Sequence, residues 1–306
     1  MDTLAVIGTL DDTWQEKIRQ CRPDLNVLFY NTAHDLAALP DPRITILAAG
    51  GGRATGLLWP LLPNLRWIQT WSAGVDGLIE SLPDHVTLTT MKGLGQQTVA
   101  EHAMALLLSL TRILPNSATT ERRCQVPLPS LAGLTQVIVG YGHIGQEIGR
   151  LSEAFGMKVM GVRNHPQPGQ WALSDLTQLL PLADVVTLAC PLTEATYRLM
   201  NEKSLSLLGP NAFLINIARA EVVDQEALLH VLKTRAIGGA GLDVTTPEPL
   251  PAGHPLLQLP NVVVTPHVAG NLPDYMQRAA AILIQNLEND FNGRPLLNPA
   301  RRNDGY

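Results

Sequence analysis

Apolar positions along the chain fall into two rhythms: short runs rich in Val, Ile and Leu, and longer stretches in which apolar residues recur every three or four positions. The first is the pattern of strands and the second that of helices. In the first hundred residues strands are predicted at Leu4 to Ile7, Val27 to Tyr30, Ile44 to Ala48, Trp67 to Thr70 and Val86 to Thr89. Asp11 to Arg22 reads as a helix because Trp14, Ile18 and Cys21 fall on one face. Pro40, Pro42, Gly50 to Gly52, Pro60 and Pro63 punctuate the connections. Thr98 to Leu114 predicts one long Ala- and Leu-rich helix ended by Pro115, and Asn116 to Leu131 a polar loop. Beyond it, apolar runs at Thr135 to Val139 and Lys158 to Val162 flank an amphipathic helix. A polar stretch, His165 to Gln170, leads into a helix ending near Leu182. Further strands are predicted at Val185 to Ala189, Ala212 to Ile217, Gly239 to Val244 and Val262 to Thr265, with helices at Glu202 to Leu208 and Gln225 to Thr234, and a last helix over about Pro273 to Asn292. This alternation of strand and helix in both halves predicts the α/β class, with two doubly wound parallel sheets.

At 306 residues the chain has room for about two domains, each with its own core. A hydrophobic fraction of 45% and a charged fraction of 16% are those of an ordinary globular protein. The net charge of −5, with no basic cluster, argues against a nucleic-acid surface. The amino end lacks the basic start and cleavage site of a secretory signal. The most apolar stretch, around Ala100 to Leu114, is interrupted by Glu101, His102, Ser109 and Arg112 and falls short of a membrane span. No membrane partner and a cytoplasmic location are the expectations. Cys21, Cys124 and Cys190 form neither a metal spacing nor an even disulfide set.

One stretch organises the chemistry. After the strand ending at Val139 come Gly140, Gly142 and Gly145 in the spacing GxGxxG. Gly140 would allow the turn, Gly142 would admit a pyrophosphate close to the backbone, and Gly145 would let the helix pack against the strand. The N–H groups of His143 and Ile144, at the start of that helix, would face the phosphates. Arg163 ends the next strand, 163 − 140 = 23 positions after Gly140, close to the ~20 expected of the ribose-reading residue. An acid there would bind a ribose hydroxyl, whereas an arginine attracts a 2′-phosphate. NADP is therefore favoured, with NAD possible.

Three later strands end in polar residues, where ligands bind in open α/β sheets. They lead into Ile217-Ala218-Arg219-Ala220-Glu221, Asp243-Val244-Thr245-Thr246-Pro247-Glu248 and Thr265-Pro266-His267-Val268-Ala269. Topology thus brings one Arg, one Glu and one His together. With Trp71-Ser72-Ala73-Gly74-Val75-Asp76 near the start, these segments resemble the D-isomer-specific 2-hydroxyacid dehydrogenases, above all the glyoxylate/hydroxypyruvate reductase branch. The resemblance spans nearly the whole chain in the same order.

The resemblance implies a Rossmann-type cofactor domain over residues 99–272, inserted into a flavodoxin-like substrate domain made of residues 1–98 and 273–306. It implies His267 as proton donor, Glu248 as its partner acid, and Arg219 as the clamp on the carboxylate and carbonyl oxygen of a 2-oxo acid. Backbone N–H groups at Ala73 and Gly74 would hold the rest of the carboxylate, and Trp71 stands beside that turn. If Trp71 faces the pocket, small acids such as glyoxylate or hydroxypyruvate fit best; if it is core, larger 2-oxo acids remain open. Asp243 would meet the nicotinamide carboxamide, and Cys190, Pro191 and Ile217 would line the cofactor cleft. His102 reads as packing within the long helix. Ala220 departs from the family's usual glycine. The expected activity is NADPH-preferring reduction of small 2-oxo acids to D-2-hydroxy acids, by a homodimer. A catalytically silent NAD(P) sensor of the corepressor type stays open, as does a dehydrogenase of bulkier acids. Formate oxidation is disfavoured, because those relatives pair the histidine with glutamine where this chain has Glu248.

Overall fold

The computed structural model describes residues 2–22, 24–51, 53–79, 81–112 and 128–300. Cys124 and most of the polar segment predicted from Asn116 lie outside the described residues, as does Pro115. The chain divides into two compact units, one made of Met1–Leu94 with Leu272–Tyr306 and the other of Gly95–Asn271. The first division lies at Leu94, ahead of the 98/99 boundary expected from sequence. The long helix starts at Gln96 and belongs whole to the second unit.

The first unit holds strands β1 (Thr3–Ile7), β2 (Asn26–Tyr30), β3 (Ile46–Ala49), β4 (Trp67–Thr70) and β5 (Thr87–Thr89). They form one sheet in the order β2-β1-β3-β4-β5, with every neighbour parallel. This is the flavodoxin-like order. β1, β3 and β4 are buried along their whole length, which is why their sequences read as continuous apolar runs with little alternation. Helix Asp12–Cys21 starts where the Asp11 side chain accepts the Trp14 N–H at 3.0 Å, a cap typically worth ~1 kcal/mol. A short helix, Ala33–Ala38, was not predicted. It is six residues long, too short for a periodic signal, and is held by a capping box between Thr32 and Asp35.

Helix Tyr275–Phe291 joins this unit through buried Ala279, Ala280, Leu283 and Leu287, which share a core with Leu4, Val6, Ile18, Trp67 and Trp71. Charge ties it down as well. Asp2 and Asp290 are bridged by Arg66 (2.9 and 2.6 Å) and by Arg22 (3.1 and 3.2 Å). Burial alone would raise the Asp2 carboxyl, but hydrogen bonds from Arg66, Thr45 and Arg22 outweigh it and hold the group down at about 2.

The second unit holds β6 (Thr135–Val139), β7 (Lys158–Arg163), β8 (Trp171–Ala172), β9 (Val185–Leu188), β10 (Phe213–Asn216), β11 (Gly239–Leu242) and β12 (Val262–Val264). Their order is β12-β11-β10-β9-β6-β7-β8, again parallel throughout. Counted within the unit, this is the Rossmann order with one further strand at its edge. The two-residue β8, which was not predicted, extends the sheet beside Val162 and Arg163. Helix Gln96–Thr111, expected over 98–114, packs its buried Ala100, Ala103, Leu106 and Leu107 against Ile138, Val185 and Ile215. Among the described residues no helix is long and apolar enough to cross a membrane.

Candidate active site

In the second sheet the direction of winding reverses between β6 and β9, and the glycine-rich turn sits at that point. Gly140 has φ +92° and lies against the next strand's exit: a Cβ there would stand 2.5 Å from the Ala189 carbonyl and the Cys190 nitrogen. Only glycine serves at such a position. A Cβ on Gly145 would overlap the Gly140 carbonyl oxygen, so that glycine lets helix His143–Ala154 approach the strand. Gly142 differs, because a Cβ there would meet nothing within 4 Å on the protein side. The open space in front of Gly142, and the absence of a capping side chain at this helix start, leave the first-turn N–H groups of His143, Ile144 and Gly145 facing outward. This cradle suits a pyrophosphate. Tyr141 lies over the glycines at 149 and 161: a Cβ on the first would overlap its hydroxyl and one on the second its ring. Arg163, half-buried at the end of β7, is in no ion pair among the described residues.

The exit of β9 supplies Cys190 and Pro191. Cys190 is 6% exposed, and burial pushes its thiol up to about 12, so it stays a neutral packing group. The Pro191 carbonyl accepts the Thr196 hydroxyl at 2.6 Å, and Ile217 is buried at the exit of β10.

Arg219 follows β10 in a turn folded by Asn216. The buried Asn216 side chain accepts the Ala218 N–H at 3.0 Å and donates to the Arg219 carbonyl at 3.0 Å. The Arg219 guanidinium is half-buried and donates to the Ala218 carbonyl at 2.7 Å. Ala220 opens a short 3₁₀ turn, Ala220–Val222, and its backbone is outside the left-handed region. The departure from glycine therefore brings no strain.

Past β11 and β12 the chain brings His267 onto Glu248. His267 Nδ1 lies 3.0 Å from Glu248 Oε2, and Glu248 Oε1 accepts the Thr245 N–H at 3.0 Å. Both carboxylate oxygens are thus acceptors, which places the Nδ1 hydrogen toward Glu248 and leaves Nε2 on the far side of the ring. Together with Asp243, Leu250, Val264 and Pro266, the pair lines a concave space of about 500 Å³.

Asp243, expected beside the nicotinamide carboxamide, also serves the loop that carries His267. Its side chain is turned inward: Oδ1 accepts the Thr265 hydroxyl at 2.6 Å and the Val268 N–H at 3.0 Å, and Oδ2 accepts the Ala269 N–H at 3.0 Å. At 2% exposure, the carboxylate holds the loop that carries His267. His102 differs from expectation. Its Nε2 lies 2.8 Å from Thr265 Oγ1 and 3.3 Å from Asp243 Oδ1, so the ring belongs to this network and not to helix packing. Its position on a mixed helix face carried no signal of that.

In the first unit, Ala73 and Gly74 lie in the turn after β4, with the Ser72 hydroxyl donating to the Gly74 carbonyl at 2.7 Å. Among the described residues neither the Ala73 nor the Gly74 N–H has a hydrogen-bond partner. Gly51, missed from sequence, makes room for this turn, since a Cβ there would overlap Ser72 Oγ. Trp71 packs inward. It is 9% exposed within the core of this unit, and its indole N–H is used on the Ile7 carbonyl at 2.7 Å.

A family model described as D-isomer specific 2-hydroxyacid dehydrogenase, NAD binding domain, matches residues 104–269. The glycerate dehydrogenase of Methylorubrum extorquens is 36% identical over 249 residues, covering 76% of this chain and 78% of that one. The glyoxylate reductase of Thermofilum pendens is 35% identical over 245 residues, covering 74% and 71%. Among solved structures, the NADPH-dependent glyoxylate/hydroxypyruvate reductase of Sinorhizobium meliloti in complex with NADP and malonate superimposes with a TM-score of 0.82 at 26% identity, over 99% of this chain and 98% of that one.

Proposed function

Since the chain belongs to the D-isomer specific 2-hydroxyacid dehydrogenases and is thus an NAD(P)-dependent oxidoreductase, we propose that it is an NADPH-preferring reductase of small 2-oxo acids, of the glyoxylate/hydroxypyruvate type, yielding the D-2-hydroxy acid. The observation that carries this reading is the His267–Glu248 pair, 3.0 Å apart, with the second carboxylate oxygen tied to the Thr245 N–H. A ring held through Nδ1 presents Nε2 to a substrate, the arrangement a proton donor needs. Relatives named glyoxylate reductase and glycerate dehydrogenase support the substrate class.

In this reading the second unit is the cofactor domain and the first the substrate domain. The Gly140, Gly142 and Gly145 turn, with the N–H groups of His143 and Ile144, receives the pyrophosphate. Arg163 pairs with a 2′-phosphate, and Cys190, Pro191 and Ile217 form an apolar wall. Bound nicotinamide supplies the hydride to the carbonyl carbon. His267 gives the Nε2 proton to the carbonyl oxygen, while Glu248 keeps the ring oriented and balances its charge. Arg219 clamps the carboxylate and stabilises the developing alkoxide, and the Ala73 and Gly74 N–H groups hold the remaining carboxylate oxygen. A homodimer is part of the proposal.

The buried Trp71 favours a second reading on substrate size, because an indole spent in the core sets no limit on the 2-oxo acid's tail. The test is oxidation of NADPH or NADH with glyoxylate, hydroxypyruvate, pyruvate and phenylpyruvate. Turnover of NADPH with the small acids supports the main reading; activity confined to phenylpyruvate supports the second. No turnover with any acid, in protein that binds NADPH, leaves a cofactor sensor. His267→Ala should abolish most turnover and leave NADPH binding intact.

A further inference from the structure

We propose that His102 is a positioning residue which, through Thr265 and Asp243, fixes the backbone from which His267 works. The inference rests on the reading of His267 as proton donor. His267 has φ 54°, a left-handed backbone that a non-glycine residue rarely adopts. Such a conformation persists only where its surroundings impose it.

Asp243 imposes it from two sides. Its carbonyl accepts the His267 N–H at 2.9 Å, a hydrogen shared with the Thr265 carbonyl at 3.0 Å. Its carboxylate takes the next two N–H groups, those of Val268 and Ala269, at 3.0 Å each. Three successive backbone N–H groups therefore converge on one buried residue.

The third acceptor contact of that carboxylate leads to His102. Thr265 has a single hydroxyl hydrogen, and Asp243 Oδ1, at 2.6 Å, is a charged acceptor that claims it. Toward His102, Thr265 Oγ1 can then only accept. His102 must carry a hydrogen on Nε2 and donate it over 2.8 Å, and the same hydrogen faces Asp243 Oδ1 at 3.3 Å. The ring springs from helix Gln96–Thr111, whose neighbouring side chains are locked in the core of the unit. It supplies the buried carboxylate with donor density that the loop itself cannot supply. Without that donor, Thr265 Oγ1 and Asp243 Oδ1 both lose the hydrogen that fixes them to the helix, and the left-handed turn at His267 is free to relax and carry the imidazole off Glu248.

The test uses His102→Leu, which removes the donor at similar bulk, and His102→Gln, which returns an N–H near the Nε2 position. Thr265→Val deletes the hydroxyl between them. The His267 ring resonances, assigned with a His267→Ala sample, are read by NMR in cofactor-free protein, alongside kcat and KM with NADPH and glyoxylate. His102→Leu should shift the His267 resonances and lower kcat about 10- to 100-fold, the scale of a misplacement of about 1 Å. KM for NADPH should stay within about twofold, because the pyrophosphate cradle is untouched. His102→Gln should recover the resonances and most of kcat. Thr265→Val should reproduce His102→Leu, and the double variant should be no worse than either single one.

Unshifted His267 resonances in folded His102→Leu would overturn the proposal. So would a His102→Gln protein as defective as the leucine variant, or losses that multiply in the double variant. Should His102→Leu fail to fold, Thr265→Val decides the question by the same readouts. Wild-type protein that turns over no 2-oxo acid removes the functional reading, while the ring resonances still judge the positioning role.

Discussion

Glu248→Gln keeps the size of the side chain and removes its charge. In the wild type both oxygens are acceptors, Oε1 for the Thr245 N–H and Oε2 for His267 Nδ1, each at 3.0 Å. A glutamine has one oxygen; kept on the Thr245 N–H, it turns its NH₂ to His267 Nδ1, which must then give up its hydrogen and accept. The ring loses the carboxylate that takes the Nδ1 hydrogen, and with it the charge-assisted bond. A hydrogen bond to a charged group is worth about 1.5–3 kcal/mol. The two side chains are 52% and 40% exposed, so water screens the pair and competes for it, and about 1–2 kcal/mol is the appropriate range. At ~1.4 kcal/mol per tenfold in rate, kcat should fall about 5- to 30-fold. The assay is steady-state oxidation of NADPH with glyoxylate, with cofactor affinity measured separately by the fluorescence of bound NADPH. Affinity should hold, because Glu248 lies well apart in sequence from the glycine-rich turn and stands at a different strand's exit. An unchanged kcat, or a loss confined to KM for NADPH, would refute the role given to the pair.

Replacing Arg163 with Asp should move cofactor preference toward NAD, since an acid binds the ribose hydroxyls and repels a 2′-phosphate; an unchanged ratio of kcat/KM for NADPH over NADH would sink that assignment. Acid should weaken the first unit in a defined window. The Asp2 carboxyl is held down from 3.8 to about 2, so its contribution is present in full above the ordinary value and disappears as pH falls from about 4 to 2. Solvent screening of this partly exposed group reduces the contribution to about 1 kcal/mol, and Asp2→Asn should flatten the denaturation midpoint over that range. Failure of the variant to change the acid response would mean the bridge contributes nothing. Cys190, with its thiol near 12 and 6% of its surface exposed, should be alkylated at pH 8 roughly a thousandfold or more slower than a free thiol. Peptide mapping after iodoacetamide treatment measures this, and rapid labelling of the native protein would contradict its burial.

Much of this molecule was legible in one dimension because the forces that shape it locally are periodic. Runs such as Leu4–Ile7 and Val185–Leu188 are buried on both faces of parallel sheets, so their near-unbroken apolar character marked both strand and sheet type. The glycine spacing at 140, 142 and 145 was informative because the turn at 140 and the close packing at 145 each exclude a side chain, while 142 leaves open space before the helix start. Strand ends carrying Arg219, Glu248 and His267 pointed to one edge of one sheet, since parallel strands all end on the same side. Tertiary structure decided what depends on which atoms meet across long stretches of chain. His102 and Thr265 are separated by 163 positions, and no periodicity links them. Trp71 follows a strand at the start of a glycine-containing turn, and the packing of helix Tyr275–Phe291 and the carbonyl of Ile7 commit its indole to the core. The Asp243 carboxylate is turned to the loop that carries His267 because two backbone N–H groups and a hydroxyl converge on it there. Local pattern follows from steric and solvation preferences that each residue carries with it. The direction in which a buried polar side chain points is set by which donors remain unsatisfied once the chain has closed around it.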